Sequence, residues 1–211
     1  MNLPSIAFIG LGQMGAPMAR NLLTAGYTVH GHDRDTAAAK RFFDHAGFHW
    51  ASSAADAAAN ADTIVLMLPD SPIVDAMLWQ GEAPLCTVIK PGALLIDMGS
   101  SDPMHSRDNA GKLKSAGIGF IDAPVSGGVK KAEAGTLAIM VGGEAALFAC
   151  ARPVLEAMST TITHVGDAGA GHAVKALNNY VSAAGLLAVT EALSAAERFG
   201  IDPHLVNQVF N

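Results

Sequence analysis

The chain has 211 residues, half of them hydrophobic and 15% charged, a balance that supports a sizeable core and excludes a disordered, low-complexity tract. Its net charge of −6 gives no electrostatic footprint for nucleic acid, and it has no apolar run of the roughly 18 residues that a membrane span needs. Its two cysteines, Cys86 and Cys150, form neither a C-x-x-C pair nor a zinc spacing, so they read as reduced thiols of a cytoplasmic protein and no metal site is expected.

From the amino end, residues 5–10 (SIAFIG) read as a short apolar strand closed by glycine. No basic region precedes it, so the start is a strand and not a signal peptide. Residues 14–25 have helical spacing, with Met14, Met18, Leu22 and Leu23 on one side. Pro17 falls in the first turn, where its missing N–H costs nothing, and Gly26 caps the end. Residues 27–33 form a second strand and 36–46 a second helix, followed by a short strand at 48–50 and a short helix at 53–60. Residues 62–68 (DTIVLML) are a buried strand ended by Pro69, and 93–98 are another. A helix at 103–116 takes Asp102 as its N-cap. Strands at 118–122, 136–141 and 160–165 follow, with a helix at 144–158 between the last two.

Strands alternating with helices imply parallel βαβ units, and continuous rather than alternating apolar strands agree with a sheet covered on both faces. The expected fold is an α/β, Rossmann-type doubly wound, mostly parallel sheet over residues 1–166. Beyond Gly171 the pattern changes to one long helix, 172–199, and Asp202-Pro203 opens another that runs to Asn211. Residues 167–211 therefore read as a long linking helix and the start of an incomplete all-α domain.

Gly10-Leu11-Gly12-Gln13-Met14-Gly15 is G-x-G-x-x-G between a strand and a helix, the context in which this pattern cradles a dinucleotide. Gly10 allows the tight turn, Gly12 lets the backbone approach the pyrophosphate, and Gly15 lets helix and strand pack closely. The helix start near Met14 turns free N–H groups and a positive dipole end toward the phosphates. An acid is expected roughly 20 residues on; Asp33 stands there, 23 residues after Gly10, suited to the ribose hydroxyls and repellent to a 2′-phosphate. That favours NAD, while Arg34 beside it leaves NADP open, since a guanidinium can grip a 2′-phosphate, stack on adenine or simply face solvent. Two further strand ends, Leu68-Pro69 and Gly99-Ser100-Ser101, face the same crevice, either as contacts to the nicotinamide ribose or as ordinary loops.

Asp122-Ala123-Pro124-Val125-Ser126-Gly127-Gly128 follows a strand and offers successive N–H groups and the Ser126 hydroxyl as a nest for a carboxylate. Gly169-Ala170-Gly171 opens the long helix, on which Lys175 and Asn179 stand four residues apart on one face. A lysine and an amide beside a nicotinamide suit alcohol–carbonyl chemistry; an ordinary surface pair has the same spacing. A lysine acting as base needs its pKa lowered by desolvation or nearby positive charge.

FIGLGQMGAPMARNL (residues 8–22), MLP (67–69), IDMGSSDP (96–103), DAPVSGG (122–128), GTLAIMVGG (135–143) and GAGHAVKALNN (169–179) stand in that order. In these stretches the chain resembles the β-hydroxyacid dehydrogenase family, which includes 3-hydroxyisobutyrate dehydrogenase and tartronate semialdehyde reductase. The resemblance implies an NAD(P)-dependent oxidoreductase acting on a small β-hydroxy acid or its semialdehyde. It implies Lys175 as general acid/base, Asn179 as the group orienting the substrate, and Ser126, Gly127 and Gly128 as holders of its carboxylate. Gly10, Leu11, Gly12, Gln13, Met14, Gly15, Asp33, Arg34, Leu68, Pro69 and Ser100 would contact the cofactor. Ser100 takes the place of a usual threonine and Gly99 of a usual serine. His172, found at the like position in 6-phosphogluconate dehydrogenases, reads as a packed or capping side chain. The family's C-terminal helical domain completes the cleft and commonly forms the dimer, so a homo-oligomer built through the long helix and that domain is expected. Two other readings are a non-catalytic binding or assembly module of the same fold and a neighbouring class, imine reductase or sugar-phosphate dehydrogenase. Lys175 with Asn179 speaks against the first, Lys175 against an imine reductase, and the small number of basic residues after DAPVSGG, Lys130 and Lys131, against a phosphorylated substrate.

Overall fold

A computed structural model describes residues 3–42 and 44–210. Strand β1 (Ile6–Ile9) is buried throughout and leads through the glycine turn into helix α1 (Gly15–Thr24), which buries Met18, Ala19 and Leu22. Gly26, at φ 90°, reverses the chain: its N–H donates to the Leu23 carbonyl and that of Tyr27 to the Leu22 carbonyl, each at 3.0 Å. This two-bond ending needs a left-handed residue at Gly26 and seats Tyr27 in the core. Strand β2 (Val29–His32) follows.

The helix expected over 36–46 is shorter and tighter, a 3-10 helix at Thr36–Phe42. Only Ala38 and Phe42, four residues apart, turn inward from it, which is too little apolar surface to anchor a longer helix. Phe43, inside the expected span, lies outside the described residues. Strand β3 (Phe48–Trp50), helix α2 (Ala54–Ala58, capped by Ser53) and strand β4 (Thr63–Leu66) come next. Two helices absent from the sequence reading follow, α3 (Ser71–Trp79) and α4 (Leu85–Val88). Then come β5 (Leu94–Asp97), α5 (Pro103–Ser115), whose first turn is capped by Asp102 as expected, and β6 (Gly119–Asp122). A two-residue strand β7 (Val125–Ser126) and a short helix α6 (Gly128–Glu133) were also unforeseen. Strand β8 (Leu137–Gly142), helix α7 (Ala145–Glu156) and strand β9 (Ser159–Gly166) precede α8 (Ala170–Arg198) and α9 (Pro203–Val209). Asp202 caps α9; the helix closes at Val209 instead of running on, and Asn211 is outside the described residues.

Among the described residues nine strands join in the order β3-β2-β1-β4-β5-β6-β8-β7, with β9 also paired to β8. Neighbours from β3 to β6 are parallel; β8 runs antiparallel to β6 and β7 and parallel to β9. The first six follow the doubly wound order, in which ligands bind beyond the carboxyl ends of the strands. Alternate residues of each strand feed two cores, as a period of two requires. Phe8, Val65 and Ile96 pack with Met18 and Leu22 on one face; Ile9, Ile64, Leu66 and Leu95 pack with Leu78 on the other.

The chain divides into two units, Met1–Lys175 and Ala176–Asn211. The second holds most of α8 and all of α9, with Leu177, Tyr180, Val181, Leu186 and Leu187 exposed along α8. Among the described residues no helix is long and apolar enough to cross a membrane. Cys86 and Cys150 are both free thiols.

Candidate functional site

The turn between β1 and α1 is shaped by close approaches. Gly10 has φ 96°, and a Cβ there would lie 2.3 Å from the Met67 carbonyl oxygen. A Cβ on Gly15 would lie 1.8 Å from the Gly10 carbonyl oxygen, so helix and strand meet as closely as backbone permits. Gly12 differs: a Cβ there would meet nothing within 4 Å, because it faces open space. The loop is held from outside. The Leu11 N–H donates to Asp33 Oδ2 at 2.7 Å, while Arg41 Nη1 donates to the Leu11 carbonyl at 2.9 Å and the Gly12 carbonyl at 3.4 Å. Asp33 Oδ1 accepts the Asp35 N–H at 2.8 Å. Each carboxylate oxygen keeps a lone pair for a further donor.

Beside this loop opens a cleft of about 400 Å³ lined by Gly10, Leu11, Gly12, Asp33, Arg34, Arg41, Leu68 and Pro69 among others. Seven residues singled out from the sequence are thus brought together. Gln13 is exposed, Met14 half-buried and Gly15 buried under the helix start; none of the three lines the cleft. Arg41 went unrecognised in the sequence. It lies 30 residues from Leu11 on a segment whose pattern gives no hint that its guanidinium turns back.

At the end of β5, Ser100 is exposed. Ser101 is not available as a ribose contact: its buried hydroxyl donates to Asp97 Oδ2 at 2.7 Å. Gly99 does more than omit a hydroxyl, since a Cβ there would stand 2.4 Å from the Leu68 carbonyl oxygen. A serine at 99 would press the end of β5 against the backbone that follows β4.

The DAPVSGG stretch leaves β6, pairs Ser126 with Ala138 across β7 and β8, and turns at Gly127 and Gly128, at φ 132° and 68°. Ser126 is half-buried and both glycines are exposed. Lys130 and Lys131 are exposed on α6. Asp122, completely buried, accepts the Gly169 N–H on Oδ1 at 2.7 Å and the His172 N–H on Oδ2 at 2.8 Å, so α8 begins against the carboxyl end of β6. His172 is packed, as expected, with Nδ1 2.8 Å from the Ser106 hydroxyl. Lys175 is half-buried on α8, and desolvation holds its ammonium below the ordinary lysine range. Asn179 stands one turn further along the same helix and is exposed.

Comparison with known proteins puts a family to this geometry. Residues 5–166 match the model of the NAD binding domain of 6-phosphogluconate dehydrogenase, and residues 169–211 the NAD-binding segment of NADP-dependent 3-hydroxyisobutyrate dehydrogenase. A solved structure of Mycobacterium tuberculosis 3-hydroxyisobutyrate dehydrogenase with L-serine superposes with TM-score 0.88 at 40% identity, covering 95% of this chain and 67% of that one. The chain belongs to the β-hydroxyacid dehydrogenase family.

Among the β-hydroxyacid dehydrogenases, the mitochondrial 3-hydroxyisobutyrate dehydrogenase of Bos taurus is 40% identical over 207 residues, 98% of this chain and 61% of that protein. The chain therefore spans about three fifths of the length of such relatives. An imine reductase variant from Myxococcus stipitatus, solved with NAD+, shares the arrangement at TM-score 0.85 and 26% identity, over 95% of this chain and 68% of its own. Residues 5–166 of this chain are an NAD(P)-binding domain. Its residues fit that group: the open face of Gly12 leaves room where the motif brings backbone against a pyrophosphate, and Asp33 lines the same cleft with acceptor capacity to spare on both carboxylate oxygens.

Proposed function

We propose that the protein carrying this chain transfers a hydride between NAD(P) and a small β-hydroxy acid or its semialdehyde, with Lys175 as general acid/base. The observation that carries this reading is a desolvated lysine on a helix that starts at the carboxyl edge of the sheet, the edge from which the glycine turn also leaves. When bound, the nicotinamide accepts or supplies the hydride. Lys175 Nζ handles the proton: as neutral amine it takes one from the substrate hydroxyl, and as ammonium it returns one to the carbonyl oxygen. Burial enlarges the neutral fraction at a given pH, which an oxidation needs.

Ser126, with the turn at Gly127 and Gly128, holds the substrate carboxylate in this reading, and Asn179 orients its hydroxyl. Leu68, Pro69 and Ser100 flank the nicotinamide half, and Asp33 at the ribose corner favours NAD. The L-serine in the mycobacterial relative is itself a β-hydroxy carboxylate, which supports that substrate class; 3-hydroxyisobutyrate, glycerate and tartronate semialdehyde belong to it. Residues 1–166 act as the dinucleotide domain and 167–211 as the link to a helical part through which copies associate.

The test is Lys175→Ala in the protein carrying this chain. NADH binding is expected to persist while turnover falls by about 10²–10⁴. In the parent, oxidation should rise with pH through the lowered lysine value and reduction should fall through the same value. Wild-type turnover from the variant, with the pH profile intact, would remove Lys175 from the reaction.

A further inference from the structure

Three sequence stretches converge at the start of α8 for a reason that the proton and hydride chemistry leaves unused. The completely buried Asp122 carboxylate receives one backbone N–H on each oxygen, from Gly169 and from His172. The junction excludes any larger residue around it. A Cβ on Gly142 would lie 2.5 Å from Asp122 Oδ1 and 2.7 Å from the Gly171 nitrogen; one on Gly171 would lie 2.8 Å from the Asp122 carbonyl oxygen and 2.9 Å from its Oδ2. Asp122 comes from β6, Gly142 from the end of β8, and Gly169, Gly171 and His172 from the start of the helix that carries Lys175. His172 is fixed in turn by Ser106 of α5.

We infer that Asp122 is a positioning residue: by accepting the amide protons of Gly169, just ahead of α8, and of His172, in its first turn, it sets the rotation and height of that helix and so the place of Lys175. The inference rests on the reading of Lys175 as acid/base, but its effect is visible without turnover. Two bonds to two oxygens of one carboxylate define a direction as well as an attachment, and a negative group at a helix start is favoured by the helix dipole. Lys175 lies three residues beyond His172, less than a turn from the second bond. A small rotation there moves the ammonium between shelter and water.

The experiment compares Asp122→Asn with the parent protein by following the Lys175 side-chain resonance through a pH titration, the signal being assigned by its loss in Lys175→Arg. Asparagine keeps the shape but offers one acceptor, so one of the two amides loses its partner. The expected result is a Lys175 midpoint that rises toward the ordinary value of about 10.4 as the side chain regains water, with turnover down on the order of 10²-fold and KM for the dinucleotide little changed. Removing a negative charge without moving the helix would shift the midpoint the other way, so the sign separates repositioning from electrostatics. Ser106→Ala serves as a control: it loosens the same region but leaves both amide bonds, and should lower stability while keeping the midpoint. An unchanged or lowered midpoint in Asp122→Asn, or an equal rise in Ser106→Ala, overturns the inference. If Asp122→Asn does not fold, Asp122→Ser, whose hydroxyl accepts one amide proton, takes its place with the same expected sign.

Discussion

Asp97 and Asp122 sit opposite each other in the β5–β6 register, and both are buried. They solve that problem differently. Asp122 spends both oxygens on backbone N–H groups of α8, whereas Asp97 has one N–H, from Gly99, and the Ser101 hydroxyl. Burial is the largest influence on Asp97 and pushes its carboxyl up, against the opposing pull of His172. A carboxyl whose folded value exceeds its unfolded one stabilises the native state below the ordinary carboxylate range, and that contribution is lost as pH rises through the raised value. Asp97→Asn carries no such penalty. Its melting temperature relative to the parent should therefore climb as pH rises from about 4 toward neutrality, read from thermal melts across that range. A difference independent of pH would contradict the assignment. Neither the Asp97–Ser101 bond nor the Asp122 bonds were legible in the sequence. The first hides in a stretch that reads as exposed loop hydroxyls, and the second spans about fifty residues with no local pattern to announce it.

At the scale of elements, the glycines of the β1–α1 turn divide into those that fold the protein and one that leaves room. Gly15→Ala would drive a methyl into the Gly10 carbonyl, so a loss of several kcal/mol and failure to accumulate as folded protein are expected. Gly12→Ala meets nothing, and its stability should stay within about 0.5 kcal/mol of the parent. Its dinucleotide affinity should nevertheless fall, because the methyl occupies the space the ligand needs. Parallel melting and NADH-binding measurements on the two variants check this, and equal damage to stability in both would refute it. The motif was legible because each glycine answers a local requirement between a strand and a helix. The buried strands were legible because continuous apolar runs bounded by glycine and proline admit few other readings. Helix α3 is announced by its cap and not by apolar spacing: Asp70 accepts the Ile73 N–H, and Pro72 sits in the first turn. Residues Thr36–Phe42 form a 3-10 helix and not the α-helix their alanines favour, because too little buried surface supports one.

Across the whole molecule, burial is unevenly spread. Leu22 is completely buried in the core of the first unit, while Leu186 and Leu187 of the second are 70% and 59% exposed. Leu22→Ala should cost about 2–5 kcal/mol in urea unfolding. The double change of Leu186 and Leu187 to Gln should cost less than about 1 kcal/mol in the isolated chain, and a loss as large as that of Leu22 would mean that this face is covered in solution. A different whole-molecule consequence follows from the two side chains that grip the peptide groups on either side of Leu11. Asp33 holds its N–H and Arg41 its carbonyl, each reaching in from a later part of the chain. The glycine turn has therefore been ordered by folding before any phosphate arrives, and little further freedom is surrendered on association. A receptor cut in advance recognises by fit, so a ligand whose bridging group is longer or shorter than a pyrophosphate should be rejected instead of accommodated.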